Sequence, residues 1–150
     1  MLAEDRASLD AEDETGITPI HLASDNGHVE VVRLLVEHRA KLDVQSEDGR
    51  TPLHLASENG HVDTVRVLAA AKASINVQTH LGATPMHFAS KSRHVDVVRV
   101  LAEAKAVLDV AADGGFTPMH LASHDGPVEV VRLLAEGKAS LNLQTDGGWT

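Results

Sequence analysis

The tetrad Thr-Pro-x-His returns at a fixed interval, opened by Thr18, Thr51, Thr84 and Thr117, each 33 residues after the last. The four copies continue alike: TPIHLASDNGHVEVVRLL, TPLHLASENGHVDTVRVL, TPMHFASKSRHVDVVRVL and TPMHLASHDGPVEVVRLL. A strict period of this size comes from one small supersecondary unit stacked many times. It predicts layers strung in a row, each burying its apolar side against the next.

Within a copy the local chemistry is legible. Each Thr can N-cap a helix, with the following Pro in its first turn, where a missing N–H costs nothing. The first helix is short, about Pro52 to Asn59 in the second copy. Gly27, Gly60 and Gly126 supply the next turn, where a positive φ is cheap. Arg93 stands there in the third copy and predicts a strained or reshaped turn, at about 1 kcal/mol. A second helix follows, about Val29 to His38. Val31, Val32, Leu34 and Leu35 form a wide apolar face, and Glu30, Arg33 and Glu37 a polar stripe. Both helices fall below the ~12–15 residues that hold in isolation, so one copy alone is expected to be unfolded.

The pattern resembles the ankyrin repeat. Thr51-Pro52-Leu53-His54-Leu55-Ala56 and Gly60-His61, with their equivalents in the other copies, match that family's TPLHLA and GH motifs. The resemblance implies an all-α solenoid of stacked helix-turn-helix units with projecting β-hairpin or loop fingers. It covers residues 1–150 as one domain: a partial repeat over 1–17, then full repeats over 18–50, 51–83, 84–116 and 117–149. Leu2-Ala3-Glu4, Ala7, Leu9-Asp10 and Gly16 align with the later parts of a full copy.

One departure concerns the end of the second helix, where the family usually places Gly. Arg39, Lys72, Lys105 and Lys138 stand there, suited to the dipole at a helix C-terminus, and Gly137 is a partial substitute one position earlier. Leu42, Ile75, Leu108 and Leu141 follow as apolar anchors, then turns at Gly49, Gly82, Gly115 and Gly148. Neither end shows a polar capping repeat. This reads as a piece of a longer array or a consensus-like engineered one, with a natural chain of frayed ends as the alternative.

Composition removes several function classes. The chain has no cysteine, hence no disulfide framework and no thiolate zinc site. No apolar run approaches the ~20 residues that span a bilayer. The start, MLAEDRASLDAEDET, lacks the features of a secretory signal. An intracellular, cytoplasmic or nuclear, location follows as the expectation. A net charge of −9 offers no basic footprint for nucleic acid or an anionic membrane.

Ten histidines raise the question of metal. His21, His54, His87 and His120 share one repeat position, but stacked helices lie ~8–10 Å apart, too far for two of them to share a zinc with ligands at ~2 Å. Each is expected to bond its own Thr and nearby backbone, as the family implies. His28, His61 and His94 are read as structural, His38 as solvated. The recurring His-x-x-Ser pairs, such as His21 and Ser24, have no third orienting group. Neither a catalytic site, a metal site nor a cofactor is expected, and no phosphate-binding loop is present.

Function is expected where the copies differ. The resemblance places the variable positions on the fingers and the outer part of the first helices, lining a concave groove. Carried over, these are Asp25 and Asn26; Glu47, Asp48, Arg50, Glu58 and Asn59; His80, Leu81, Lys91 and Ser92; Asp113, Phe116, His124 and Asp125; and Trp149. Phe116 and Trp149 are candidate aromatic anchors, whereas Phe88, in place of a helix leucine, is read as core. Lys91 and Arg93 form a basic spot among Asp25, Glu47, Asp48, Asp125 and Asp146, able to fix the register of a charged partner. The leading reading is a monomeric, non-enzymatic module that binds a protein or extended peptide. A spacer or engineered segment with no partner, and an accessory domain of a larger enzyme or channel, are the alternatives. The family also implies asparaginyl hydroxylation as a corollary, at Asn76 and Asn142.

Overall fold

The computed structural model describes residues 9–150; the alignment of Leu2, Ala3, Glu4 and Ala7 with later copies lies outside them. Each tetrad opens a seven- or eight-residue helix: α1 (Pro19–Asp25), α3 (Pro52–Glu58), α5 (Pro85–Lys91) and α7 (Pro118–Asp125). A nine-residue helix follows each: α2 (Val29–Glu37), α4 (Val62–Ala70), α6 (Val95–Glu103) and α8 (Val128–Glu136). The short helices pack each on the next in one row, and the long helices form a second row behind them. The row is the predicted arrangement.

The core is a ladder of equivalent aliphatic positions. Ile20, Leu53 and Met86 are buried on the short helices, and Leu35, Leu68, Leu101 and Leu134 on the long ones. Among the described residues no helix exceeds nine residues, so stability comes from stacking, at about 25 cal/mol per Å² of apolar area covered. Burial follows layer position. Val97, Val98, Val100 and Leu101 are all buried on α6, whereas Val31 and Leu34 on α2 are 48% and 55% exposed. The wide apolar face predicted for α2 is thus only half covered, narrowed to Val32 and Leu35. Leu42, Ile75 and Leu108 pack against the core as anchors, but Leu141 is mostly exposed.

The Thr-Pro-x-His unit bonds in one way throughout. In the second copy the Thr51 N–H and hydroxyl lie 3.0 and 2.9 Å from Nδ1 of His54, whose Nε2 lies 3.1 Å from the Ala83 carbonyl. A carbonyl only accepts, so Nε2 carries the proton and Nδ1 accepts from both Thr groups. His21, His87 and His120 repeat this toward the carbonyls of Arg50, Phe116 and Trp149. The imidazole reaches back to the N-cap amide as a capping box does and ties each helix to the finger that follows it. Burial holds His21, His54 and His87 below the ordinary imidazole pKa, His54 at about 4.

The turns between paired helices bear out one expectation and correct another. Gly27, Gly60 and Arg93 have φ of +67°, +75° and +65°, so Arg93 takes the strained left-handed conformation. Gly126 instead has φ −78° and ψ 158°; the residue before a proline is driven to extended backbone, and Pro127 follows it. At the ends of the long helices Arg39, Lys72, Lys105 and Lys138 all adopt φ between +63° and +68°. Gly137 is not the substitute terminator: its φ is −71°, and Lys138 makes the left-handed step.

Adjacent copies are also joined by a carboxylate or amide ahead of each finger. Asp10, Asp43, Asn76 and Asp109 accept from the backbone N–H of Lys41, Ser74, Val107 and Ser140, each at 2.8 Å. Asn76 thus has an inter-copy role as an acceptor. The charged stripes pair Arg33 with Glu30 and Arg132 with Glu129, while Arg99 reaches the next copy's Glu129 at 4.0 Å.

Candidate functional site

Loops project between the helix pairs, and their tips build one wall of the groove. Each tip is a tight turn closed by its own backbone: Ser46 N–H to Arg50 C=O at 2.8 Å, Thr79 to Ala83 at 2.9 Å, Ala112 to Phe116 at 2.8 Å and Thr145 to Trp149 at 2.9 Å. Among the described residues no strand forms; the fingers are loops. They are nevertheless tied together, since the N–H groups of His80, Asp113 and Asp146 donate to the carbonyls of Asp48, Leu81 and Gly114 of the preceding finger. The wall is therefore a set of fixed steps.

The other wall is the exposed side of the short helices. Between the two lies a cavity of about 590 Å³. Leu81, Phe88, Phe116 and Leu121 give it apolar surface, and Asp48, Arg50, His80, Lys91 and Asp113 give it charge and polarity. Phe88 is thus not core: α5 buries Met86, His87, Ala89 and Ser90, and the remaining side of the helix turns Phe88 into the groove. Its ring meets that of His54 edge-on at 5.5 Å, and the Arg50 guanidinium lies 4.8 Å above it. Phe116 is 43% exposed, edge-on to His120 at 6.1 Å. Gly114 matters to that placement. Its φ is +76°, and a Cβ there would meet the Phe116 ring at 3.2 Å.

Charge is distributed unevenly over the walls. Arg50 is held by Asp48 at 2.9 Å and by Glu58 on α3. Burial raises the Asp48 carboxyl pKa, but the Ser46 hydroxyl and the Arg50 amide and guanidinium outweigh it and hold the pKa below the ordinary carboxylate value. Lys91 has no ion pair among the described residues. Along the finger tips one repeat position carries Glu47, His80, Asp113 and Asp146, and all four are exposed.

The structure brings together Asp48, Arg50, His80, Leu81, Lys91, Asp113 and Phe116, with Glu58 joined through Arg50. Glu47 lines a shallower depression of about 370 Å³ with Ser46, Arg50 and Leu55. Asp25 and Asn59 pair with one another, Asn59 Nδ2 donating to Asp25 Oδ1 at 2.8 Å, and Asn26 bonds back to the Leu22 carbonyl of its own helix. Ser92 caps α5, and His124 is exposed on α7. Asp125 closes α7, with its side chain outside the description. Trp149 is 74% exposed and does not line the cavity. Among the residues that the sequence reading left out of the groove, Phe88 and Leu121 give it apolar surface. Their signal was the leucine position of the first helix, whose copy Leu22 is 58% exposed.

Two of the remaining histidines are inter-copy ties. His61 Nε2 bonds the Asp25 carbonyl and His94 Nε2 the Glu58 carbonyl, both at 2.9 Å; His28 is exposed at the start of α2. Among the described residues no group of three or more His, Cys, Asp or Glu side chains is placed to hold a metal, and no helix is long and apolar enough to cross a membrane. A family model described as ankyrin repeats in three copies matches residues 1–79 and 72–145. No curated protein matches the chain.

Proposed function

The chain belongs to the ankyrin-repeat family, a family of protein–protein interaction modules, and on that premise we propose that it binds a partner protein or peptide in the groove between the finger tips and the short helices. The observation that carries the reading is the cavity between α5 and the fingers, which Phe88 and Phe116 line together with Leu81 and Leu121, edged by charged side chains. Such a preorganised aromatic pocket loses little ordering entropy on binding and is where affinity concentrates.

The module is non-enzymatic. Both nitrogens of His21, His54, His87 and His120 are engaged in bonds that recur in every copy, leaving none to serve as a base.

Random-peptide display on the intact protein tests the reading. Enriched peptides are expected to lose at least tenfold in affinity on Phe116→Ala, with the helical circular dichroism unchanged. Equal affinity for wild type and for both Phe116→Ala and Phe88→Ala would place the binding surface elsewhere.

A further inference from the structure

We infer that the segment seated in this groove is extended, places one large apolar side chain between Phe88 and Phe116, and carries lysine or arginine toward the finger tips at three-residue spacing. The inference rests on the groove reading and adds the partner's chemistry to it.

The anchor follows from the cavity. Phe88 and Phe116 face a space of about 590 Å³, more than one side chain fills, so backbone enters with the anchor. Arg50 cannot turn to a ligand without leaving Asp48, Glu58 and the Phe88 face together. It is a fixed part of the wall.

The charge pattern follows from the fingers. Asp113 lines the cavity, and Asp146 stands at the equivalent position one finger on. The bonds from Asp113 N–H to Leu81 and from Asp146 N–H to Gly114, both 2.9 Å, fix that step. Stacked units repeat every ~8–10 Å, and an extended polyproline-II segment rises about 3.1 Å per residue with about three residues per turn, so one finger corresponds to three residues and side chains three apart share a face. A cation beside the anchor therefore faces Asp113, and the next, three residues on, faces Asp146. Lys91 on the helix wall repels a cation placed on that side, which sets the face the segment turns to the fingers. The chain's net charge of −9 also steers a basic segment toward it.

The test uses three fluorescein-labelled nine-residue peptides of otherwise Gly/Ser sequence. One carries Leu with Arg one and four residues beyond it, one has Glu in place of both Arg, and one has Ala in place of Leu. Fluorescence anisotropy on the intact protein at low salt is expected to show the Leu/Arg peptide at least tenfold tighter than either control. Asp113→Asn should weaken it at least threefold, and raising salt should weaken it further. Binding of the Glu peptide as tightly as the Arg peptide overturns the inference, as does binding of none of the three. In either case peptides from the display selection that still lose affinity on Phe116→Ala leave the groove itself standing, and only loss of that dependence removes both.

Discussion

Arg50 sits over the face of Phe88, its Cζ 4.8 Å from the ring centroid, although the two belong to a finger and a helix of different copies. The guanidinium is held from both sides by Asp48 and Glu58, so ring and cation form one rigid surface. Phe88→Leu, which restores the residue of the other copies, should cost less than about 1 kcal/mol in urea melts, because the ring is not a core contact. It should weaken a groove peptide at least threefold. A stability loss above about 3 kcal/mol, the range of core truncations, would return Phe88 to the interior.

The buried histidines set an acid limit on the fold. His21, His54 and His87 have folded pKa values lowered by burial from 6.5, His54 to about 4. Between those values the unfolded chain binds protons that the folded chain does not. Stability is therefore full above pH 6.5 and falls progressively as pH drops toward 4. For His54, fully buried, the total is on the order of 3 kcal/mol. Urea midpoints at pH 7.5, 6 and 5 should decline in that order, before most carboxylates protonate. A flat response over that window would mean that the imidazoles protonate in place without penalty.

Among the described residues five cationic side chains sit on left-handed backbone: Arg39, Lys72, Arg93, Lys105 and Lys138. Without a glycine each carries Cβ strain of about 1 kcal/mol. Lys72→Gly and Lys105→Gly, in the middle of the array, should each raise the urea midpoint by the equivalent of about 0.5–1 kcal/mol with no change in m. A fall in midpoint would show that the side chain's interaction with the helix dipole outweighs the strain.

How far the molecule could be read from its sequence depended on whether a feature lay within one copy or between copies. The helix pairs, the Thr–His bonding and the stacking in a row were visible because each is dictated locally and repeated four times. Phe88 was misread because an apolar residue at a helical leucine position looks internal. Only the packing of α5, which buries Met86, His87, Ala89 and Ser90, shows that the fourth side faces the groove. Gly126 was misread for want of weighing Pro127 beside it. The fingers were carried over from the family as hairpins or loops, and it is the loop form that their tips take, each closed as a tight turn. The His61–Asp25 and Asp43–Ser74 ties span more than thirty residues, and no local pattern announces them.

The ties made by His61 and His94 explain an otherwise isolated irregularity. A Cβ on Gly27 would meet the His61 ring at 2.5 Å, and one on Gly60 would meet the His94 ring at 2.6 Å. Glycine is needed there less for its φ than because the next copy's histidine leans on it. In the third copy Arg93 replaces that glycine, and in the fourth Pro127 replaces the histidine that would have struck it. The two changes are compensating. Pro127→His alone should therefore clash with Arg93 and lower stability by about 1–3 kcal/mol, the cost of overpacking. Arg93→Gly alone should be mildly stabilising, by relief of the left-handed strain. The double variant regains the inter-copy bond that His61 and His94 make, at about 1 kcal/mol, and should exceed wild type. A double-mutant cycle measured by urea unfolding is expected to give a favourable coupling of at least about 1 kcal/mol. Additive effects of the two changes would show that the helix pair α7/α8 stacks on α5/α6 without the contact its neighbours use.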